Sequence, residues 1–159
     1  RLGLADFAPR LETMPPLADA PAGLFLRRFR KNYKLARTLV HSAASKPTED
    51  AVHDLRKLSK RPLNQCRLLH SRGTRHLHSF RDTLVALDDL LGRSRDCANL
   101  AAILRGVPAA EAPLLHGITL RTHLENAARA ARDRALVLAA RVYRRPSRAF
   151  AARALGRIG

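Results

Sequence analysis

His53, Arg56, Lys57, Lys60, Arg61 and Arg67 fall within one short stretch, VHDLRKLSKRPLNQCRLL, residues 52–69. The chemistry open to such a set is anion binding. An arginine fork can engage two phosphate oxygens at once, a lysine acts as a point charge, and an imidazole donates a hydrogen bond in either protonation state. Turnover would ask for more: clustered carboxylates for a metal, a phosphate-cradling loop, or a nucleophile beside a base. Asp54 stands alone beside His53, and the Asp88 and Asp89 pair has no glycine-rich or basic loop to match. A phosphorylated His53 is the one enzymatic alternative left open, and an assay for released phosphate or nucleotide product would expose it.

The element that must position this set is a helix. At 3.6 residues per turn, Val52, Leu55, Leu58, Pro62, Leu63, Cys66 and Leu69 gather on one side, while His53, Lys57, Lys60, Asn64 and Arg67 make a stripe opposite, flanked by Arg56 and Arg61. Pro47, Thr48, Glu49 and Asp50 supply its start: a proline, a hydroxyl cap and two acids at the positive end of the dipole. Pro62 predicts a bend rather than a stop, because the apolar period continues through it.

A preceding helix, about Leu24 to Ala44, repeats Leu26, Phe29, Tyr33, Ala36, Val40 and Ala43 at three and four residue steps. Its other side carries Arg27, Arg30, Lys31, Lys34, Arg37 and His41, so two neighbouring helices are expected to frame one cationic groove. Beyond Gly73 and Thr74, Leu77, Phe80, Leu84, Leu87 and Leu91 predict a helix that Gly92 closes, then a shorter one over Ser94 to Leu104 with Asp96 as a candidate cap. Arg95 either reaches the groove or pairs with Asp88 or Asp89. A long helix from about Pro113 to Tyr143, seamed by Leu120, Leu124, Ala128, Ala131, Ala135, Leu138 and Val142, and a last short one over Ser147 to Leu155 complete the chain. Nothing reads as a strand. The expectation is an all-α antiparallel bundle of about four main helices, a single domain over 22–159 behind an extended, proline-containing lead-in over 1–21.

The 159 residues carry a formal charge of +17, and 25 of the 30 basic residues are arginine. That favours polyanions: nucleic acid, anionic membrane or polymeric phosphate. Base composition alone would explain the amount of arginine, but not its concentration around one histidine-bearing helix. Cys66 and Cys97 make no disulfide framework, which points to a reducing cytoplasm. No apolar run reaches membrane-spanning length, and no Cys/His set has zinc spacing, so neither a metal nor a cofactor is expected.

Residues 49–69 and 87–100 resemble the CHAD domain, a conserved-histidine α-helical family that binds inorganic polyphosphate. EDAVHDLRKLSKR carries the acidic lead-in, His53, and then Arg56, Lys60 and Arg61; LDDLLGRSRDCANL carries Leu91, Gly92, Arg95 and Asp96; MPPL at 14–17 matches the segment before the family's first helix. The likeness spans roughly residues 12–155, in the sense of the family's N-terminal half. It departs at Pro62 and Leu63, where the family places Leu and a further Arg. A full CHAD domain has two related bundles, so the resemblance implies that two copies pair about a twofold axis to complete the groove.

The resemblance implies non-catalytic binding of polyphosphate, with association to polyphosphate granules, through His53, Arg56, Lys57, Lys60, Arg61, Arg67, Arg27, Arg30, Lys34 and Arg95. The alternative is an RNA- or DNA-binding helical protein, although aromatic residues for base stacking make up only 4% of the chain.

Overall fold

The computed structural model describes residues 22–68, 75–106 and 117–155; the lead-in over 1–21 and the boundary at Gly73 and Thr74 lie outside them. Five helices follow in order: α1 Ala22–Ser45, α2 Glu49–Leu68, α3 Arg75–Arg105, α4 Gly117–Val142 and α5 Ser147–Leu155. Among the described residues there is no strand, as the sequence periodicity predicts.

Thr48 starts α2 as expected. Its hydroxyl accepts the Ala51 N–H at 3.2 Å, and Glu49 and Asp50 occupy the first turn. This satisfies one of the four unpaired N–H groups that open any helix and sets negative charge at the positive end of the dipole. The short turn back from α1 makes α1 and α2 antiparallel, and Asn32 Nδ2 donates to Gln65 Oε1 across them at 3.0 Å.

Helix α2 runs antiparallel to α3, with His53 beside Arg95 and Arg56 beside Asp88. Helix α3 runs antiparallel to α4, with Phe80 against Tyr143 at one end and Ser94 against Ala128 further along. The α3 face on α4 is the most extensive contact in the bundle. The reason is the α4 seam: Ala128, Ala131, Ala135 and Ala139 are all buried, and side chains this small let two backbones approach closely. Ser94, buried with them, hands its hydroxyl proton to the Ala128 carbonyl at 2.9 Å.

The core is aromatic at one end and aliphatic along its length. Phe29, Tyr33, Phe80, Tyr143 and Phe150 pack ring on ring, with centroids as close as 4.4 Å for Phe80 and Phe150, while Leu55, Leu63, Leu77, Leu84, Leu87 and Leu91 continue the core along α2 and α3. The expected faces of α1 and α2 hold: Phe29, Tyr33, Ala36, Val40 and Ala43 are buried, as are Leu55, Pro62, Leu63 and Cys66. Helix α2 continues through Pro62 to Leu68, with the proline ring inside the core.

Three expectations need correction. Helix α3 does not close at Gly92; it is one helix of 31 residues that absorbs the shorter helix expected over Ser94 to Leu104, so Asp96 is an exposed mid-helix residue and not a cap. Continuous burial of Leu84, Leu87, Leu91, Ser94 and Ala101 against neighbouring helices outweighs the one glycine. On α4 the seam lies on alanines, and Leu120, expected within it, is 42% exposed. Pro113 to His116, expected to begin that helix, lie outside the described residues.

Glycine inside a helix is roughly 0.5–1 kcal/mol worse than alanine. A Cβ at Gly92 would meet the Arg56 guanidinium at 3.6 Å, an ordinary contact. Gly92→Ala is therefore expected to raise the unfolding free energy by about 0.5–1 kcal/mol in a denaturant titration. A destabilised variant would show that the guanidinium needs the space.

Tyr33 ties the bundle's aromatic end together. Its hydroxyl lies 3.2 Å from the Val142 carbonyl and 3.1 Å from that of Arg145, closing the C-terminal end of α4, where carbonyls lack helical partners. Burial pushes the phenol up from 10.0 to about 12, against the opposing charges of Arg37 and Arg145. The folded state thus holds this proton more tightly than the unfolded chain. The resulting stability is fully present below pH 10 and is lost as pH rises toward about 12. Burial moves the Cys66 thiol up to about 12 as well, and the Tyr143 phenol upward, so the three add. Chemical denaturation between pH 9 and 12 should show this decline, shallower in Tyr33→Phe; an unchanged slope would refute it.

Candidate functional site

The rotation of α2 in the bundle sends its two faces to different neighbours. Leu55, Leu63 and Cys66 turn inward, and this carries His53 and Arg56 to the edge facing α3. There the Arg56 Nε donates to Asp88 Oδ1 at 3.1 Å, and Lys60 Nζ stands 3.8 Å from the other carboxylate oxygen. Asp88 is only 25% exposed in its side chain, so it holds two cations of α2 in register against α3.

About two turns further along α3, Arg95 Nη1 lies 2.9 Å from His53 Nδ1. A guanidinium has no acceptor lone pair, so in this contact Arg95 is the donor and Nδ1 the acceptor, which leaves Nε2 as the ring's donor position. His53 therefore offers one N–H donor, fixed in direction by Arg95.

These side chains open onto a concavity of about 580 Å³ lined by α2, α3 and α4. The backbones of α2 and α4 both pack on α3 and scarcely on one another, which leaves the space between them. The basic lining is His53 and Arg56 from α2, Arg95 and Arg105 from α3, and Arg129 and Arg132 from α4. Glu49, Asp50 and Glu125 share the walls, so the trough is cationic in balance but not purely so. Buried Leu91, Ala101 and Ala128 line part of it and give it a partly apolar floor.

Of the ten residues singled out from sequence, His53, Arg56 and Arg95 line this concavity and Lys60 joins through Asp88. Of the two courses open to Arg95, it takes the groove rather than an acid. Lys57 pairs weakly with Asp54 at 3.8 Å, Arg61 is exposed, and Arg67 reaches Asn64 at 3.5 Å; none of the three lines the trough. Arg27, Arg30 and Lys34 lie on α1 and do not line it either. The groove expected between α1 and α2 is thus a groove among α2, α3 and α4. The apolar face of α1 packs on α2 and the aromatic core, which directs its basic stripe elsewhere.

Sequence reading missed Asp88 as the shared clamp and Arg105, Arg129 and Arg132 as walls. The available signal was the pair Arg129 and Arg132, one turn apart and close to buried Ala128 and Ala131 on α4. No group of three or more His, Cys, Asp or Glu among the described residues is placed to hold a metal ion. No described helix is long and apolar enough to cross a membrane.

A family model, the CHAD domain, matches residues 2–105. The chain belongs to the CHAD family. The match takes in α1, α2 and all of α3, so the histidine helix and Arg95 are part of the CHAD region. It ends at Arg105, short of the span to residue 155 read from sequence, and the α4 wall with Arg129 and Arg132 lies beyond it. Where the family continues with Leu and Arg after its basic pair, this CHAD chain buries both Pro62 and Leu63 in the core. Neither a curated protein nor a solved structure matches the chain.

Proposed function

We propose that this CHAD domain binds inorganic polyphosphate without catalysis, along the trough between α2, α3 and α4. The observation that carries the reading is convergence: His53, Arg56 and Arg95, brought from two helices, face one open concavity that Arg129 and Arg132 wall from a third. A linear polymer of phosphates has charge at every unit and no bases. A row of forked donors with an open end suits it, and binding draws on many charge contacts and released counterions. Association with polyphosphate granules, and pairing of two copies about a twofold axis, belong to the same reading. Light scattering with and without polyphosphate tests the pairing, and a monomer in both states overturns that part alone.

Nucleic acid is the competing ligand, since charge alone attracts either polymer. The aromatic rings argue against recognition of unpaired bases: among the described residues none lines the trough, and Phe29, Tyr33, Phe80, Tyr143 and Phe150 are buried in the core. The deciding experiment is competition at matched phosphate concentration. Long-chain polyphosphate is expected to displace bound RNA or DNA, with binding that weakens steeply as salt rises. Retention of the nucleic acid would favour the alternative.

A further inference from the structure

A second concavity, of about 480 Å³, lies among the first turns of α3, the last turns of α4 and α5, and shares no residue with the trough. Arg141, Arg144, Arg145 and Arg153 line it together with His76, and among the described residues no carboxylate does. Nor does any of the four arginines pair with a carboxylate elsewhere among the described residues. Among the described residues the trough sets three acids against its cations and this site sets none.

The site is built rather than a loose basic tail. The Tyr33 hydroxyl engages the carbonyls of Val142 and Arg145, Tyr143 is 1% exposed, and the Phe150 N–H donates to the Pro146 carbonyl at 3.0 Å. The turn that presents Arg144 and Arg145 is therefore pinned at both ends to the aromatic core. Arg153 Nε donates to His76 Nε2 at 3.0 Å, which holds that guanidinium against α3. Phe80 and Phe150, both nearly buried, form an apolar floor beneath four arginines that remain exposed to solvent. Four like charges gathered on such a floor repel one another, and a compact anion with several ionised oxygens relieves the repulsion.

We propose that this is a second anion site, for a run of linked phosphates that together carry several ionised oxygens, either as a free short oligophosphate or as a stretch of a longer polymer. It stands independently of the trough and of the function assigned there.

The test is titration calorimetry with tripolyphosphate and, separately, with long-chain polyphosphate. Arg144→Gln with Arg153→Gln removes two exposed cations of the site. Arg148→Gln with Arg134→Gln removes the same charge from exposed positions that line neither concavity. The site variant is expected to weaken tripolyphosphate binding roughly tenfold or more, and the control about twofold or less. Loss confined to the long polymer would assign the site to a polymer segment, and loss with tripolyphosphate to a free oligophosphate; either supports the proposal. Equal effects of site and control variants on both ligands, with circular dichroism unchanged, would overturn it by leaving only general attraction. Binding that survives Arg56→Ala but not the site variant separates this proposal from the reading of the trough.

Discussion

Arg56→Ala is expected to weaken long-chain polyphosphate binding by about 10- to 100-fold, the range for loss of a hydrogen bond to a charged group. Asp88 takes the Arg56 Nε, which fixes the guanidinium plane and leaves the terminal amino groups for a ligand in the trough. Loss of one phosphate contact should also make the plot of log affinity against log salt shallower, by about 0.7–0.9. The fold should tolerate the change, because Lys60 stays 3.8 Å from the Asp88 carboxylate and keeps it from standing unpaired. Arg61→Ala is the matched control, with the same charge removed from the same helix at an exposed position outside the trough. Equal losses in the two variants would mean that net charge, not the trough, holds the polymer.

Phe80→Ala should cost about 3–5 kcal/mol of stability, the largest single loss expected from one side chain in this chain. Its ring touches four others: Phe29 at 6.2 Å, Tyr33 at 5.8 Å, Tyr143 at 6.2 Å and Phe150 at 4.4 Å between centroids. Truncation opens a void bounded by α1, α3, α4 and α5 at once, so no single helix can shift to fill it. A domain of this size is typically stable by only about 5–15 kcal/mol, which makes the loss a large share of the total. Thermal and urea unfolding measure it. The trough lies toward the opposite end of α3, so the fraction still folded should keep the binding that the trough supplies, and any loss should fall on the second concavity, whose floor Phe80 helps to form. A loss below about 1 kcal/mol would show that the aromatic cluster collapses around the gap.

Much of this architecture was legible in the letters because it is local. The phases of Phe29, Tyr33, Ala36 and Val40 on α1 and of Leu55, Leu63 and Cys66 on α2 follow from the 3.6-residue period, and all are buried. The Thr48 cap was legible for the same reason: a hydroxyl and two acids ahead of an apolar repeat satisfy the first turn whatever packs above it. Gly92 misled because glycine closes a helix when its far side is free, and here α2 and α4 cover both sides of α3.

The candidate site divided along the same line. That α2 has a cationic edge bearing His53 and Arg56 needs only the period of one helix. Which cations meet it depends on rotations and separations that no single segment contains. Arg27, Arg30 and Lys34 have the spacing of partners yet lie outside the trough, while Arg129 and Arg132, distant in sequence, wall it. Sequence by itself determined the helices, their buried faces, the excess of arginine and the CHAD likeness, because each rests on residues a few positions apart. Only the tertiary structure decided that the alanine seam of α4 draws it onto α3, that Asp88 clamps Arg56 and Lys60, and that arginines split between a trough holding acids and a second concavity holding none among the described residues. Those outcomes follow from the packing of the whole core, which sets the distance between charges on different helices.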